Sequence, residues 1–353
     1  MAGAGRRRRK VSMADVAAAA NVSVTTVSHV VNRSRPVAPE TEAAVLAAVA
    51  ETGYVPDDVV RSMRTSGSRT VGLAMSAITN TYFSDVVRSI EGILSRAGYS
   101  LLLVDTHDDV RTEMRAISDL LTRGVDAIVL APSADPTKAL EHARQQAVPV
   151  IMIDRFSEFD FDQIGSENDE PTAFLVDHLA ELGHRRIAFV AGKAGLSTST
   201  ERFAGYQRGL ARNGIDLSPE YAVDGDSTDV GAGRALAQLL ELESPPSALV
   251  VGNNQMTIGV MRRAKEADIR IPDDLAVICF DDFEWADCFH PGLTVMAQPI
   301  RAMGQQAAEM VLSRLADPGI PSRRVVLRPV FMHRESCGCL QRHDRVGLAR
   351  ESA

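Results

Sequence analysis

Val11-Ser12-Met13-Ala14-Asp15-Val16-Ala17, followed by Asn21-Val22-Ser23-Val24-Thr25-Thr26-Val27-Ser28-His29-Val30-Val31-Asn32, decides how this chain is read. Ser12 to Asp15 form a capping box, in which the serine accepts from the helix's early amides and the aspartate reaches back. Val16, Ala17 and Ala20 share one face, so a first helix of about two turns is expected. Asn21-Val22 makes a turn and Ser23 is a second N-cap. In the next helix Val27, Val30 and Val31 sit at i, i+3 and i+4 and must face the first helix. Val24, Thr25, Ser28 and His29 then point outward, with Thr26 flanking. Two short helices across a tight turn, the second presenting small polar groups, is a helix-turn-helix. A third helix near residues 40–51 is expected to close a small core with Val45, Leu46 and Val49. A three-helix bundle used only for dimerisation is the alternative this pattern leaves open.

Charge supports a nucleic-acid partner for this end alone. The 353-residue chain carries a net −8, yet residues 1–65 hold nine Arg/Lys against six Asp/Glu, and the remainder 29 against 40. A basic head on an acidic body meets phosphate only through the head. Arg6-Arg7-Arg8-Arg9-Lys10 ends a basic arm, residues 1–10, and no apolar stretch of signal-peptide type follows it. No run approaches the roughly twenty apolar residues of a membrane span. A cytoplasmic protein is expected. The four cysteines, Cys279, Cys288, Cys337 and Cys339, are late and irregularly spaced. Cys337-Gly338-Cys339 reads as reduced thiols, too isolated for a zinc site and too tight for an easy disulfide. No metal or cofactor is expected.

Beyond the head (residues 11–56), residues 57–69 are a polar stretch ending Thr65-Ser66-Gly67-Ser68-Arg69. From Thr70 onward β-branched runs alternate with helical ones. Strands are expected at 70–75, 100–104, 127–130, 148–153, 187–190, 248–251, 276–280 and 294–297. Several are apolar throughout, as parallel strands covered on both faces should be. Amphipathic helices fall between them, for example at 84–97, 110–123, 171–182, 201–213 and 258–267. Gly98, Gly124, Gly183 and Gly214 lie just past helix ends, where a left-handed residue stops a helix. The span to about residue 333 is too long for one sheet. The expected fold is a small all-α helix-turn-helix head followed by two open parallel-sheet α/β lobes, with a ligand cleft at the strands' carboxyl ends.

Catalysis has little to stand on. The turn after the first strand reads Val71-Gly72-Leu73-Ala74-Met75-Ser76-Ala77, without the glycine fingerprint of a dinucleotide site. Gly231-Ala232-Gly233 has Leu236 where a third glycine belongs, no strand leads directly into it, and it reads as a helix start. No P-loop, nucleophile elbow or His-Glu-x-x-His occurs. Polar residues instead gather where strands end: Asn80 with Tyr82-Phe83, Asp154-Arg155, Asn253-Asn254-Gln255, Asp281-Asp282 and Gln298, while Arg202 opens a helix. Carboxylate, amide and guanidinium beside aromatics suit a hydroxyl-rich ligand.

The head segments quoted above, with Tyr54-Val55-Pro56, resemble the DNA-binding head of the LacI/GalR repressor family, and the likeness runs through the α/β body to about Cys337. The resemblance implies base-edge contacts from Val24, Thr25 and His29, and phosphate or helix-holding roles for Ser23, Thr26, Ser28 and Asn32. Arg35 matches an arginine that reads a base. His29 stands where many relatives have arginine, so their operators do not transfer. Residues 57–64 match a hinge helix that enters the minor groove, with Met63 in place of a wedging leucine. In the body it implies an effector pocket of Asp154, Arg202, Asn253, Asp281 and Gln298, to which Arg155, Tyr82 and Phe83 are added. Asn254 stands where relatives commonly have aspartate. Ser227 and Arg155 replace aromatics that pack on effectors in some relatives, so a sugar or sugar acid is expected rather than a purine.

The family likeness further implies a repressor that binds a near-palindromic double-stranded DNA operator as a homodimer, with effector binding between the lobes biasing the hinge helices. The effector-binding and dimerisation domain spans residues 70–340. Its lobes are expected to be discontinuous: 70–168 with 299–327, and 169–297. Residues 341–353 form a tail without the leucine heptads of a tetramerising segment. A sugar-binding receptor without DNA function and an NAD-dependent enzyme are the rival readings.

Overall fold

The computed structural model describes residues 13–31, 35, 37–52, 67–76 and 80–339. Ser12, Asn32, Met63, the hinge segment 57–64 and the tail 341–353 lie outside them. The chain divides into two compact units, Met1–Ser68 and Arg69–Ala353.

In the first unit, α1 (Met13–Ala20), α2 (Val24–Val31) and α3 (Pro39–Thr52) enclose a core of Val16, Ala17, Val27, Val30, Val45 and Ala48. Asn21 takes a left-handed φ of 52°, which asparagine tolerates better than most residues. Val22 N then donates to Ala17 O at 3.0 Å and closes the first helix. Ser23 caps the second, its Oγ accepting from Thr26 N at 3.1 Å. One expectation is corrected: Leu46 is 53% exposed, and Ala48 fills the core in its place. Ala48 follows Val45 at the i, i+3 spacing that keeps both on the inner face.

The second unit is built on two six-stranded sheets. The first holds β1 (Thr70–Met75), β2 (Ser100–Asp105), β3 (Ala127–Leu130), β4 (Val150–Asp154), β5 (Asp162–Ser166) and β11 (Arg324–Leu327), in the order β11-β5-β4-β3-β1-β2. The second holds β6 (Ile187–Ala191), β7 (Ala222–Asp224), β8 (Ala248–Val251), β9 (Ala276–Phe280), β10 (Thr294–Ala297) and β12 (Val330–Met332), in the order β12-β10-β9-β8-β6-β7. The first sheet is wholly parallel. The second departs from the expected parallel arrangement at its edge, where β12 runs antiparallel to β10. That edge strand follows β11 of the other sheet after only two residues, so the chain enters the second sheet from the first rather than by a direct β–α–β crossover from β10.

The helices are α4 (Thr81–Arg96), α5 (Val110–Thr122), α6 (Thr137–Gln145), α7 (Asp169–Glu181), α8 (Ser197–Arg212), α9 (Asp229–Leu240), α10 (Asn254–Glu266) and α11 (Ile300–Ala316). Each sheet has an apolar cluster on both faces. Gly98, Gly124, Gly183 and Gly214 all have positive φ just past helix ends. The chain passes between the sheets three times, after β5, β10 and β11. In both sheets the first strand has its successor on one side and its next-but-one on the other. That is the switch point at which such sheets hold ligands.

Four strands were not expected. β5 reads Asp162-Gln163-Ile164-Gly165-Ser166 and is buried throughout, so neither an apolar run nor an alternation announces it. Asp162 is kept there by Arg314 of α11, whose Nη2 donates at 2.8 Å. β7 ends seven residues before Gly231, which lies in the first turn of α9 and donates its N–H to the capping Thr228 Oγ1 at 3.0 Å, as a helix start should. The glycine there serves close packing, since a Cβ on Gly231 would lie 2.2 Å from Gly225 O, and Leu236 is buried in the core. A second correction concerns Cys337-Gly338-Cys339. The fold brings His178 and His333 to these thiols, so they are not isolated.

Candidate functional site

The carboxyl ends of the two sheets face one small cavity of about 70 Å³. Tyr82, Phe83, Asp154, Arg155, Arg202, Asn253, Asp281 and Gln298 all line it. Tyr82 and Phe83 open α4, Asp154 ends β4, Arg202 lies on α8, Asn253 precedes α10, Asp281 follows β9 and Gln298 follows β10. All but Asn253 are buried, although five are polar or charged.

Asp154 and Asp281 occupy equivalent places, one at the end of each sheet's central strand, and both have left-handed backbones, with φ of 70° and 73°. Asp154 Oδ1 accepts from the Tyr82 hydroxyl at 2.6 Å. Burial, reinforced by the Asp154 and Asp281 charges, pushes the Tyr82 phenol well above its usual range, so it remains a donor. Asp281 Oδ1 accepts from Gln298 Nε2 at 2.6 Å and lies 3.6 Å from Arg202 Nη2. Burial raises the Asp281 carboxyl, against the opposing pull of Arg202 and Gln298.

The two arginines differ in how far the protein uses them. Arg202 donates from Nε to Asn168 Oδ1 at 2.8 Å and from Nη1 to Gly252 O at 2.6 Å. Its guanidinium also stacks on Phe280, 3.8 Å from the ring centre. Arg155 pairs through Nη1 and Nη2 with Asp108, at 2.5 and 3.2 Å. Burial works against its charge, but Asp108 and Asp154 outweigh it and hold the guanidinium protonated. Its Nε is buried, makes no hydrogen bond, and lies 3.6 Å from Asp154 Oδ2.

Across the cavity Asn80 and Asn254 form a reciprocal amide pair, at 3.0 and 2.7 Å. Each sits at a helix start. Asn80 Oδ1 also accepts from Tyr82 N at 3.1 Å, and Asn253 Oδ1 accepts from Met256 N at 2.8 Å. The cap role of Asn253 occupies its carbonyl oxygen and leaves its amide nitrogen. Asp108, Thr198 and Ser199 also line the cavity and went unremarked in the sequence. Asp108 lies just past β2, so the strand-end rule that found the others reaches it; the two helix-borne hydroxyls carry no such signal.

In the head, Val24 is 47% exposed and Thr25 is exposed, whereas Ser28 and His29 are half-buried. Ser23 and Thr26 are engaged with each other, their hydroxyls 2.9 Å apart. Arg35 lies exposed in a bend. Asn32 and Met63 are not described. No helix among the described residues is long and apolar enough to cross a membrane.

Comparison with known proteins agrees with both units. Residues 12–57 match the family described as bacterial regulatory proteins, lacI family, and residues 176–337 match a periplasmic binding protein-like domain. The ribose operon repressor of Escherichia coli (strain K12) is 33% identical over 333 residues, covering 92% of this chain and 99% of that protein. The HTH-type transcriptional repressor PurR of Vibrio atlanticus (strain LGP32) is 34% identical, covering 91% of this chain and 97% of its own length. Among solved structures, the lac repressor dimer bound to operator and the anti-inducer ONPF superposes with a TM-score of 0.72 at 28% identity, covering 93% of this chain and 99% of that one. These relatives are transcriptional regulators, not enzymes. The chain belongs to the lacI family of bacterial regulatory proteins, DNA-binding transcriptional repressors regulated by small-molecule effectors.

Proposed function

We propose that this chain represses transcription as a homodimer on a near-palindromic operator, and that a sugar or sugar acid bound between its two lobes controls operator affinity. The observation that carries the effector reading is the cavity itself. Carboxylates, guanidinia, a phenol and an amide from both sheets converge there under burial. Such a set pairs with a polyol from every side. A purine finds no aromatic at Ser227 or Arg155 to stack on. The ribose operon repressor among the relatives supports a sugar.

The cavity's 70 Å³ is far below the roughly 300 Å³ or more of a ligand pocket. Ligand entry therefore requires the lobes, 70–168 with 299–327 and 169–297, to part and close again. On the DNA side, Val24, Thr25, His29 and Arg35 read base edges, while Ser23, Thr26, Ser28 and Asn32 hold phosphate or the helix. Met63 wedges a base step in the minor groove. No metal or cofactor takes part in this switch.

Thermal unfolding measured against a panel of pentoses, hexoses, sugar acids and purine bases tests the effector class. At least one sugar or sugar acid should raise the melting temperature in proportion to the logarithm of its concentration, as a ligand of the folded state does. A shift produced by purine bases alone would overturn the assignment.

A further inference from the structure

Outside the cleft, four metal-ligating side chains meet on the second sheet. His178 lies on α7, and His333, Cys337 and Cys339 follow β12. Their donor atoms all fall within 4.8 Å of one another. Cys337 Sγ is 2.9 Å from Cys339 Sγ and 3.4 Å from His333 Nε2. Cys339 Sγ is 3.8 Å from His178 Nε2 and in contact with His333 Nε2. No disulfide joins the described cysteines.

These spacings are close to those of a coordination tetrahedron. With zinc–sulfur bonds of about 2.3 Å and zinc–nitrogen bonds of about 2.0 Å, sulfurs stand about 3.8 Å apart and sulfur and nitrogen about 3.5 Å apart. The Cys337–His333 and Cys339–His178 distances fit this to within about 0.3 Å, whereas the Cys339–His333 contact is closer. On binding an ion, Cys339 Sγ would have to move about 1 Å away from both Cys337 Sγ and His333 Nε2.

The surrounding chain holds the ligands in this arrangement. Gly338 has a φ of 82°, a turn open to glycine that lets the thiols on either side of it face the same point. Phe331 packs on both imidazoles, with ring centres 5.1 Å from His178 and 5.8 Å from His333. Ser336, between the ligands in sequence, donates its hydroxyl to Val277 O at 2.6 Å and so ties this segment to β9. Both thiols are buried, while His333 is exposed and leaves an entry route.

We infer that His178, His333, Cys337 and Cys339 form a closed structural zinc(II) site. It clamps the segment after β12 to α7. Two thiolates with two imidazoles in tetrahedral array suit zinc, whereas magnesium and calcium require oxygen donors. Four protein ligands leave no open position for substrate, so the ion's part is structural. This inference is independent of the effector and operator readings.

The test uses the full chain without a metal-binding tag, purified under reducing conditions and analysed for metal by mass spectrometry. The wild type should hold about one zinc per chain. Cys337→Ser with Cys339→Ser, and His178→Ala with His333→Ala, should each lower that content by at least about tenfold. To guard against variants that fail to fold, the wild type is stripped with a chelator and titrated with cobalt(II). Tetrahedral ligand-field bands and a thiolate-to-cobalt charge-transfer band should then develop and saturate at one equivalent. Chelation should also lower the melting temperature, and added zinc restore it. Three results would overturn the site: a wild type that takes up neither ion, full zinc retention in the double cysteine variant, or octahedral cobalt spectra without charge transfer.

Discussion

Asp154 and Asp281 show how single residues define the cleft. A non-glycine residue in the left-handed region costs on the order of 1–3 kcal/mol, and here it recurs at the same place in both sheets, each time on a buried carboxylate. Both were legible in the sequence, because each follows an apolar strand. Because burial raises the Asp281 carboxyl, the folded state binds that proton more readily than the unfolded chain does. Its contribution to stability is therefore full below the unfolded value and is lost as pH rises through the raised one. Asp281→Asn keeps a residue that tolerates the backbone. It should melt above wild type at about pH 7.5, with the gap closing towards about pH 4. The same change should weaken effector binding by about 1.5–3 kcal/mol, measured by calorimetry. Arg202→Ala is less selective, since it also strips Asn168 and Gly252 O of their donor. His178 was beyond reading: it lies 161 positions before Cys339, and only the fold closes that distance.

Helix starts organise the cleft at the next scale. α4 and α10, one from each lobe, point their first turns at the cavity, and the Asn80–Asn254 pair joins them. Asn253→Ala should cost about 1 kcal/mol of stability through loss of the α10 cap, and Asn253→Ser should restore most of it. Any loss of effector affinity that remains in the serine variant then reports the missing amide nitrogen. In the head, α2 presents Thr25 and His29. Thr25→Ala and His29→Ala should each relax one base position per half-site at a cost of about 1–3 kcal/mol, read by selection from a randomised operator library. An unchanged preference in both would place the recognition surface elsewhere.

Elements with a strong pattern were legible: the helix-turn-helix, the apolar strands, and the glycine-ended helices. β5 was not, because its buried Asp162 and Gln163 are satisfied by partners such as Arg314 and the Ser157–Phe159 backbone, which lie outside the strand. Leu46 misled because apolar character alone does not say which face of α3 is inward.

On the scale of the whole chain, three passes between the sheets join two halves that share one polar cleft, and the proposed switch is an equilibrium between two spacings of those halves. A ligand can shift that equilibrium only by its difference in affinity between the two arrangements. Linkage then requires that the factor by which the sugar changes operator affinity equal the factor by which the operator changes sugar affinity. The most direct test measures operator affinity with and without the sugar found in the unfolding screen, for wild type and Asp281→Asn. Wild-type affinity should change by about 5–150-fold. Asp281→Asn should match wild-type operator affinity without sugar, and show no change at a concentration that saturates wild type. A full response in Asp281→Asn, or a wild type whose operator affinity ignores a sugar it binds, would contradict control through the cleft.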